Sequence, residues 1–132
     1  MRNVIFSIII FSVFSCGENK NVVLHGVEVK NNSEEKLTEG KVLIGDFKMV
    51  SDVFFPAQER TETSMDHSFV ISEKSPIFLS INFKFKGKEI SDKIDISSKL
   101  KPFVGKRIII KFEISPERNP IIINLEIKKS EF

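Results

Sequence analysis

Apolar side chains recur at every second position from Ile77 to Phe85, as Ile77, Leu79, Ile81, Phe83 and Phe85, with Ser80, Asn82, Lys84 and Lys86 between and after them. A period of two puts successive side chains on opposite faces of an extended strand, and no helical stripe can hold five such matches in a row. The segment Ile77 to Lys86 is therefore a half-buried strand. Gly87 punctuates it, and Ile90, Ile94 and Ile96 resume the same period beyond.

A second pair of alternating runs lies near the carboxyl end. Ile108, Ile110, Phe112 and Ile114 alternate with Arg107, Lys111 and Glu113; Ile121, Ile123, Leu125 and Ile127 alternate with Asn124, Glu126 and Lys128. Between them Pro116, Asn119 and Pro120 interrupt any ladder, which predicts a hairpin. The inward series is even-numbered in one strand and odd-numbered in the other, which restricts the register. One allowed register sets Lys111 opposite Glu126; a shift by two sets Arg107 opposite Lys128. Opposite charges across a ladder help and like charges hurt by a few tenths of a kcal/mol, so the Lys111–Glu126 register is expected.

The earlier segments carry weaker signals. Val22 to Lys30 reads as a strand, Asn31 to Gly40 as a polar loop, and Lys41 to Phe55 as one long or two short strands stopped by Pro56. His67 to Ser72 reads as another strand. Ser97 or Ser98 could cap a single helical turn that ends near Gly105, with Pro102 limiting it. Seven or eight short strands in a chain of this size predict an all-β domain: a two-sheet antiparallel β-sandwich, Ig-like or transthyretin-like. A small closed barrel is the alternative.

The amino terminus has a different character. Arg2 precedes an apolar run from Val4 to Phe14 that is interrupted only by Ser7 and Ser12. That run is too short to cross ~30 Å of hydrocarbon, which takes about 20 helical residues. A positive start, a short apolar stretch and a small residue are the pattern of an export signal. Val13, Phe14, Ser15 and Cys16 then resemble the lipobox of bacterial lipoproteins: an aliphatic residue, a variable one, a small one and the modified cysteine. The resemblance covers residues 1–16. It implies cleavage between Ser15 and Cys16, a diacylglycerol on the Cys16 thiol, and acylation of the new amine. Phe14 departs from the commoner small or aliphatic residue. Gly17 stands where some lineages place the aspartate that retains a lipoprotein in the inner membrane, which favours the outer membrane. The expected division is thus a signal peptide at 1–15, a lipidated tether at 16–21 and a β-sandwich at 22–132.

Composition narrows the function. The 132 residues have formal net charge +2, with Lys and Glu interleaved, and no basic stripe marks a nucleic-acid interface. The chain has 13 Phe but neither Trp nor Tyr, so its aromatic content can fill a core without needing hydrogen-bond partners. Cys16 is the single cysteine, so the chain contains no intramolecular disulfide.

Few residues suggest chemistry. His25 and His67 are the two histidines, short of the three or four ligands that a zinc site gathers. Ser64, Asp66, His67 and Ser68 spell the letters of a hydrolase triad, yet no Gly-x-Ser-x-Gly elbow is present. Asp92 and Asp95 are spaced as a carboxylate pair but fall on opposite faces of a strand, and Asp92 interrupts the inward series of Ile90 and Ile94. No catalytic residue, metal site or cofactor is expected. Phe78, Ile109 and Ile122 are apolar positions on otherwise polar faces, and together they form a candidate docking patch. Phe54 and Phe55, which open the segment running to Asp66, are a second candidate. The leading expectation is a lipid-anchored, non-enzymatic binding or adaptor module of the cell envelope, with the membrane and another envelope protein as partners. The competing expectations are a periplasmic or surface hydrolase built from His25, His67 and Asp66, and a structural lipoprotein displayed on the surface.

Overall fold

The computed structural model describes residues 20–131. The signal segment, its cleavage point at Ser15 and Cys16, and tether residues 16–19 lie outside the described residues. Eight strands form two four-stranded sheets. The first sheet runs β4 (Arg60–Val70), β1 (Asn21–Asn31), β7 (Arg107–Ile114) and β8 (Ile122–Lys129). The second runs β3 (Phe47–Phe55), β2 (Leu37–Ile44), β5 (Phe78–Phe85) and β6 (Lys88–Asp95). Their inner faces close over one core that includes Leu24, Ile44, Phe55, Ile81, Phe83 and Ile110, each at most 1% exposed. This is the expected two-sheet sandwich. Neighbouring strands are antiparallel everywhere except between β1 and β7, which run parallel.

The alternating runs fold as their periods dictate. Leu79, Ile81, Phe83 and Phe85 are buried along β5, which pairs with β6 without a register shift from Phe78–Asp95 to Phe85–Lys88. Lys86 and Gly87 join these strands with φ of 54° and 78°. Positive φ at both central residues is the two-residue turn whose twist matches that of the strands. In the β7–β8 hairpin Lys111 faces Glu126, the register that favours opposite charges.

The same hairpin shifts register between Lys111 and Glu113, where Leu125 and Asn124 oppose the single residue Phe112. Asn124 adopts φ 51°, a left-handed conformation that Asn tolerates better than most residues. The extra residue reverses the facing beyond it. Ile122 pairs with Ile114 and is buried at 4%, while Ile123 pairs with Glu113 on the outer side. Strict alternation through β8 puts Ile122 outside, and the bulge is why it lies inside.

Two early boundaries also differ from expectation. β2 begins at Leu37 rather than after Gly40, and β4 begins at Arg60 rather than His67. The stretch Arg60–Met65 holds Thr but no aliphatic alternation, because β4 is an edge strand with a mostly exposed outer side. The helical turn α1 (Ser97–Leu100) continues into a 3-10 turn at Lys101–Phe103. No serine side chain caps it: the Asp95 carboxylate accepts from the Ser97 N–H at 2.9 Å, and the Ser97 hydroxyl accepts from the Ile77 N–H at 2.7 Å.

Side chains fasten the sheets to each other at both lateral edges. On one edge the His67 ring of β4 stacks on Phe47 of β3, with centroids 3.7 Å apart. On the other, Asp92 of β6 accepts hydrogen bonds from the N–H groups of Ile121 and Ile122 at 3.0 and 3.1 Å. These contacts account for two polar residues that had stood out in the sequence.

Candidate functional site

The outer face of the first sheet carries the densest set of interacting ionisable groups. β1 shifts register against both its neighbours between Leu24 and Gly26. His25 lies at this irregularity, opposite Met65 and Asp66 of β4, which supplies one residue more. A bulge of this kind re-aims a side chain. Gly26 is needed for it: a Cβ there would sit 2.8 Å from the Thr63 carbonyl oxygen, closer than real Cβ atoms come.

The re-aimed His25 Nδ1 lies 2.8 Å from Asp66 Oδ1 and 2.8 Å from Arg107 Nη2. Arg107 Nη2 also donates to both Asp66 oxygens, at 3.0 and 3.1 Å. The hydrogen bonds from His25 and then Arg107 lower the Asp66 pKa below its ordinary 3.8. Nδ1 donates to Asp66 when it bears the proton and accepts from Arg107 when it does not, so either tautomer keeps the three groups together. Three adjacent strands are thereby linked across their outer face. Asp66 remains 57% exposed, and the adjoining cleft, lined in part by His25, Glu62, Ser64 and Ile109, holds only about 100 Å³.

Further along this face Glu28 meets Arg60 at 2.7 Å and Lys111 at 3.7 Å. Glu113 accepts from the Asn32 side chain at 2.8 Å and from Asn124 at 3.0 Å, and these two bonds lower its pKa below the ordinary 4.5. The result is a carpet of mutually satisfied charges over a shallow depression of about 130 Å³.

The structure brings His25 and Asp66 together but sends His67 elsewhere. His67 pairs with Leu24 on the core-facing side of β4, between the rings of Phe47 and Phe69. The three residues of the hydrolase reading therefore do not converge on one pocket. Among the described residues no three His, Cys, Asp or Glu side chains gather as metal ligands.

The apolar candidates are also dispersed. Phe78 is half-buried on the outer face of the second sheet, with Lys93 Nζ 4.8 Å from its ring centre. Ile109 is half-buried on the outer face of the first sheet, and Ile122 belongs to the core. Phe55 is fully buried; its ring occupies the space a side chain on Gly40 would need, with Cε2 2.4 Å from the Cβ position. Phe54 is 56% exposed at the far end of β3, under Lys36. No continuous apolar patch forms from these five residues, since two are core, Ile109 is on the outer face of the first sheet, and Phe54 and Phe78 are at opposite ends of the second.

The distribution of lysines in space differs from their distribution along the chain. Lysines that look interleaved with acids along the sequence are gathered by the fold at the end where β1 begins. The hydrogen bonds Ile71 N–H to Lys20 O, Gly105 N–H to Asn21 O, Val23 N–H to Lys106 O and Ser130 N–H to Arg107 O tie four separate segments to this end. Only the strand pairing shows that these segments meet.

No family model matches the chain, and no curated protein is similar to it in sequence. Among solved structures, the chain is similar to the NMR structure of a protein from Eubacterium rectale, at 14% identity and a TM-score of 0.43. The similarity covers 88% of this chain and 96% of that one.

Proposed function

We propose that this protein is a lipid-anchored, non-enzymatic binding or adaptor module of the bacterial envelope, held on the outer membrane by acyl chains on Cys16. The observation that carries the reading is the Val13-Phe14-Ser15-Cys16 sequence placed just ahead of a β-domain whose first strand starts at Asn21. Four residues, Gly17 to Lys20, separate the cysteine from that strand. The five steps from Cys16 to Asn21 span at most about 18 Å when fully extended, so an anchored domain would stand close to the bilayer. Two or more acyl chains are needed for stable attachment, which the lipoprotein modification supplies.

The non-enzymatic part is supported by the state of the polar groups. His25, Asp66 and Arg107 are engaged with one another on an open face, and His67 is stacked between two Phe rings. Such a domain serves by being held in place and contacting an envelope protein.

The test is growth of a bacterium expressing the chain with labelled palmitate. Label should enter the wild-type protein and not Cys16→Ala, which should also keep its signal. A wild-type protein that takes up no label contradicts the reading.

A further inference from the structure

We infer that the end of the sandwich at which the chain enters is a basic surface that rests on anionic phospholipid headgroups. The inference rests on the anchor proposed above and adds an orientation and a lipid class. Lys20, Lys99, Lys101, Lys106, Lys128 and Lys129 are all exposed and belong to segments joined at this end by backbone hydrogen bonds. Lys20 precedes β1, Lys99 to Lys106 run through α1 and the loop beyond it, and Lys128 and Lys129 end β8 against Ile109 and Ile108.

What sets this end apart is an excess of cations rather than their lack of ion pairs, since among the described residues Lys30, Lys36, Lys41, Lys88, Lys93 and Arg118 elsewhere also have no carboxylate within 4.0 Å. Arg60, Lys84, Lys86 and Lys111 each lie within 3.7 Å of a carboxylate oxygen, on Glu28, Glu39 or Glu35. Among the described residues none of these six lysines, nor Lys74 in the loop before β5, has such a partner, and these seven cations outnumber Asp46, Glu73, Asp95 and Glu131 at the same end. The opposite end is balanced, where Glu34, Glu35, Glu59, Glu89 and Glu117 accompany Lys36, Lys86, Lys88 and Arg118.

Two independent features therefore coincide. The short segment from Cys16 leads to Lys20, so the bilayer and the entry end are neighbours if the anchor forms. The same end carries an excess of exposed cations, which a negatively charged leaflet attracts within a Debye length of about 10 Å. A lipid chain alone would leave the domain free to tumble on its tether. Electrostatic contact by several lysines holds one end down and turns the Asn32–Lys36, Pro56–Glu59 and Ser115–Ile121 loops outward.

Amine labelling of the acylated protein in vesicles tests this. The protein, extracted in detergent, is reconstituted in vesicles of neutral phosphatidylcholine or of phosphatidylcholine with phosphatidylglycerol. Lysines are then acetylated and read by mass spectrometry. Flotation with the neutral vesicles reports the anchor alone. Given flotation, Lys101, Lys106, Lys128 and Lys129 should label on the order of fivefold more slowly on the anionic vesicles, while Lys36, Lys86 and Lys88 label equally on both. Lys101→Glu with Lys106→Glu should remove most of this difference without stopping flotation. Equal labelling of the entry-end lysines on both vesicles overturns the orientation with the anchor intact. Failure to float on neutral vesicles overturns the anchor.

Discussion

Asp92 Oδ2, on an edge of one sheet, lies 3.1 Å from the backbone N–H of Ile122, on an edge of the other. It also takes the Ile121 N–H, so a single carboxylate oxygen closes one side of the sandwich. Asp92→Ala would leave two partly buried donors without that acceptor. We expect a loss of about 1–3 kcal/mol, read as a lower urea midpoint with unchanged slope. Asp92→Asn keeps a carbonyl oxygen at the site and should cost less. Equal stability of Asp92→Ala and wild type would mean that the clasp contributes nothing.

Gly40 and Phe55 form a matched pair across β2 and β3. A methyl group on Gly40 overlaps the buried Phe55 ring, so Gly40→Ala should destabilise by roughly 1–3 kcal/mol through overpacking. Phe55→Leu should also destabilise, by vacating part of the core. The double variant should lose less than the two single losses combined, because residues in contact couple. Additive losses in denaturant titrations would show that the overlap is relieved elsewhere.

Asn124 sits at φ 51° in the β8 bulge. Asn124→Gly keeps that backbone accessible and loses only the side-chain bond to Glu113. Asn124→Val places a β-branched residue in a left-handed conformation, at an expected cost of about 1–2 kcal/mol beyond the Gly variant. Hydrogen exchange along β8 should accelerate in the Val variant alone. A Val variant as stable as the Gly variant would argue against the bulge.

Asp66 gives a pH signature. Its folded pKa is depressed below 3.8 by hydrogen bonds from His25 and Arg107. A depressed carboxylate adds stability that is present above its unfolded pKa and disappears as pH falls through the folded value. Stability should therefore drop more steeply below pH 3.8 in wild type than in Asp66→Asn. NMR titration of the Asp66 carboxyl carbon should give a midpoint below 3.8. A midpoint at or above that value would mean that the cluster does not hold in solution.

These relationships also show what a linear reading can reach. β5, β6 and the β7–β8 register were legible because a half-buried strand writes its facing into every second residue, and because Lys111 and Glu126 distinguish one register from the next. Ile122 was misplaced because one extra residue reverses facing and Asn124 marks the bulge only weakly. The upper half of β4 was missed because an edge strand with Glu62, Ser64 and Asp66 outward buries little that a pattern could show. The meeting of His25, Asp66 and Arg107 depends on pairings between residues 41 or 82 apart in sequence, including one parallel pair. Neither that cluster nor the gathered lysines leaves a local trace.

The most direct measurement of the central claim is the intact mass and amino-terminal sequence of the protein extracted from bacterial membranes. We predict a chain that begins at Cys16 and carries the added mass of a diacylglyceryl group and an amide-linked acyl chain. A chain that begins at Met1, or is cut elsewhere and bears no lipid, would contradict the account.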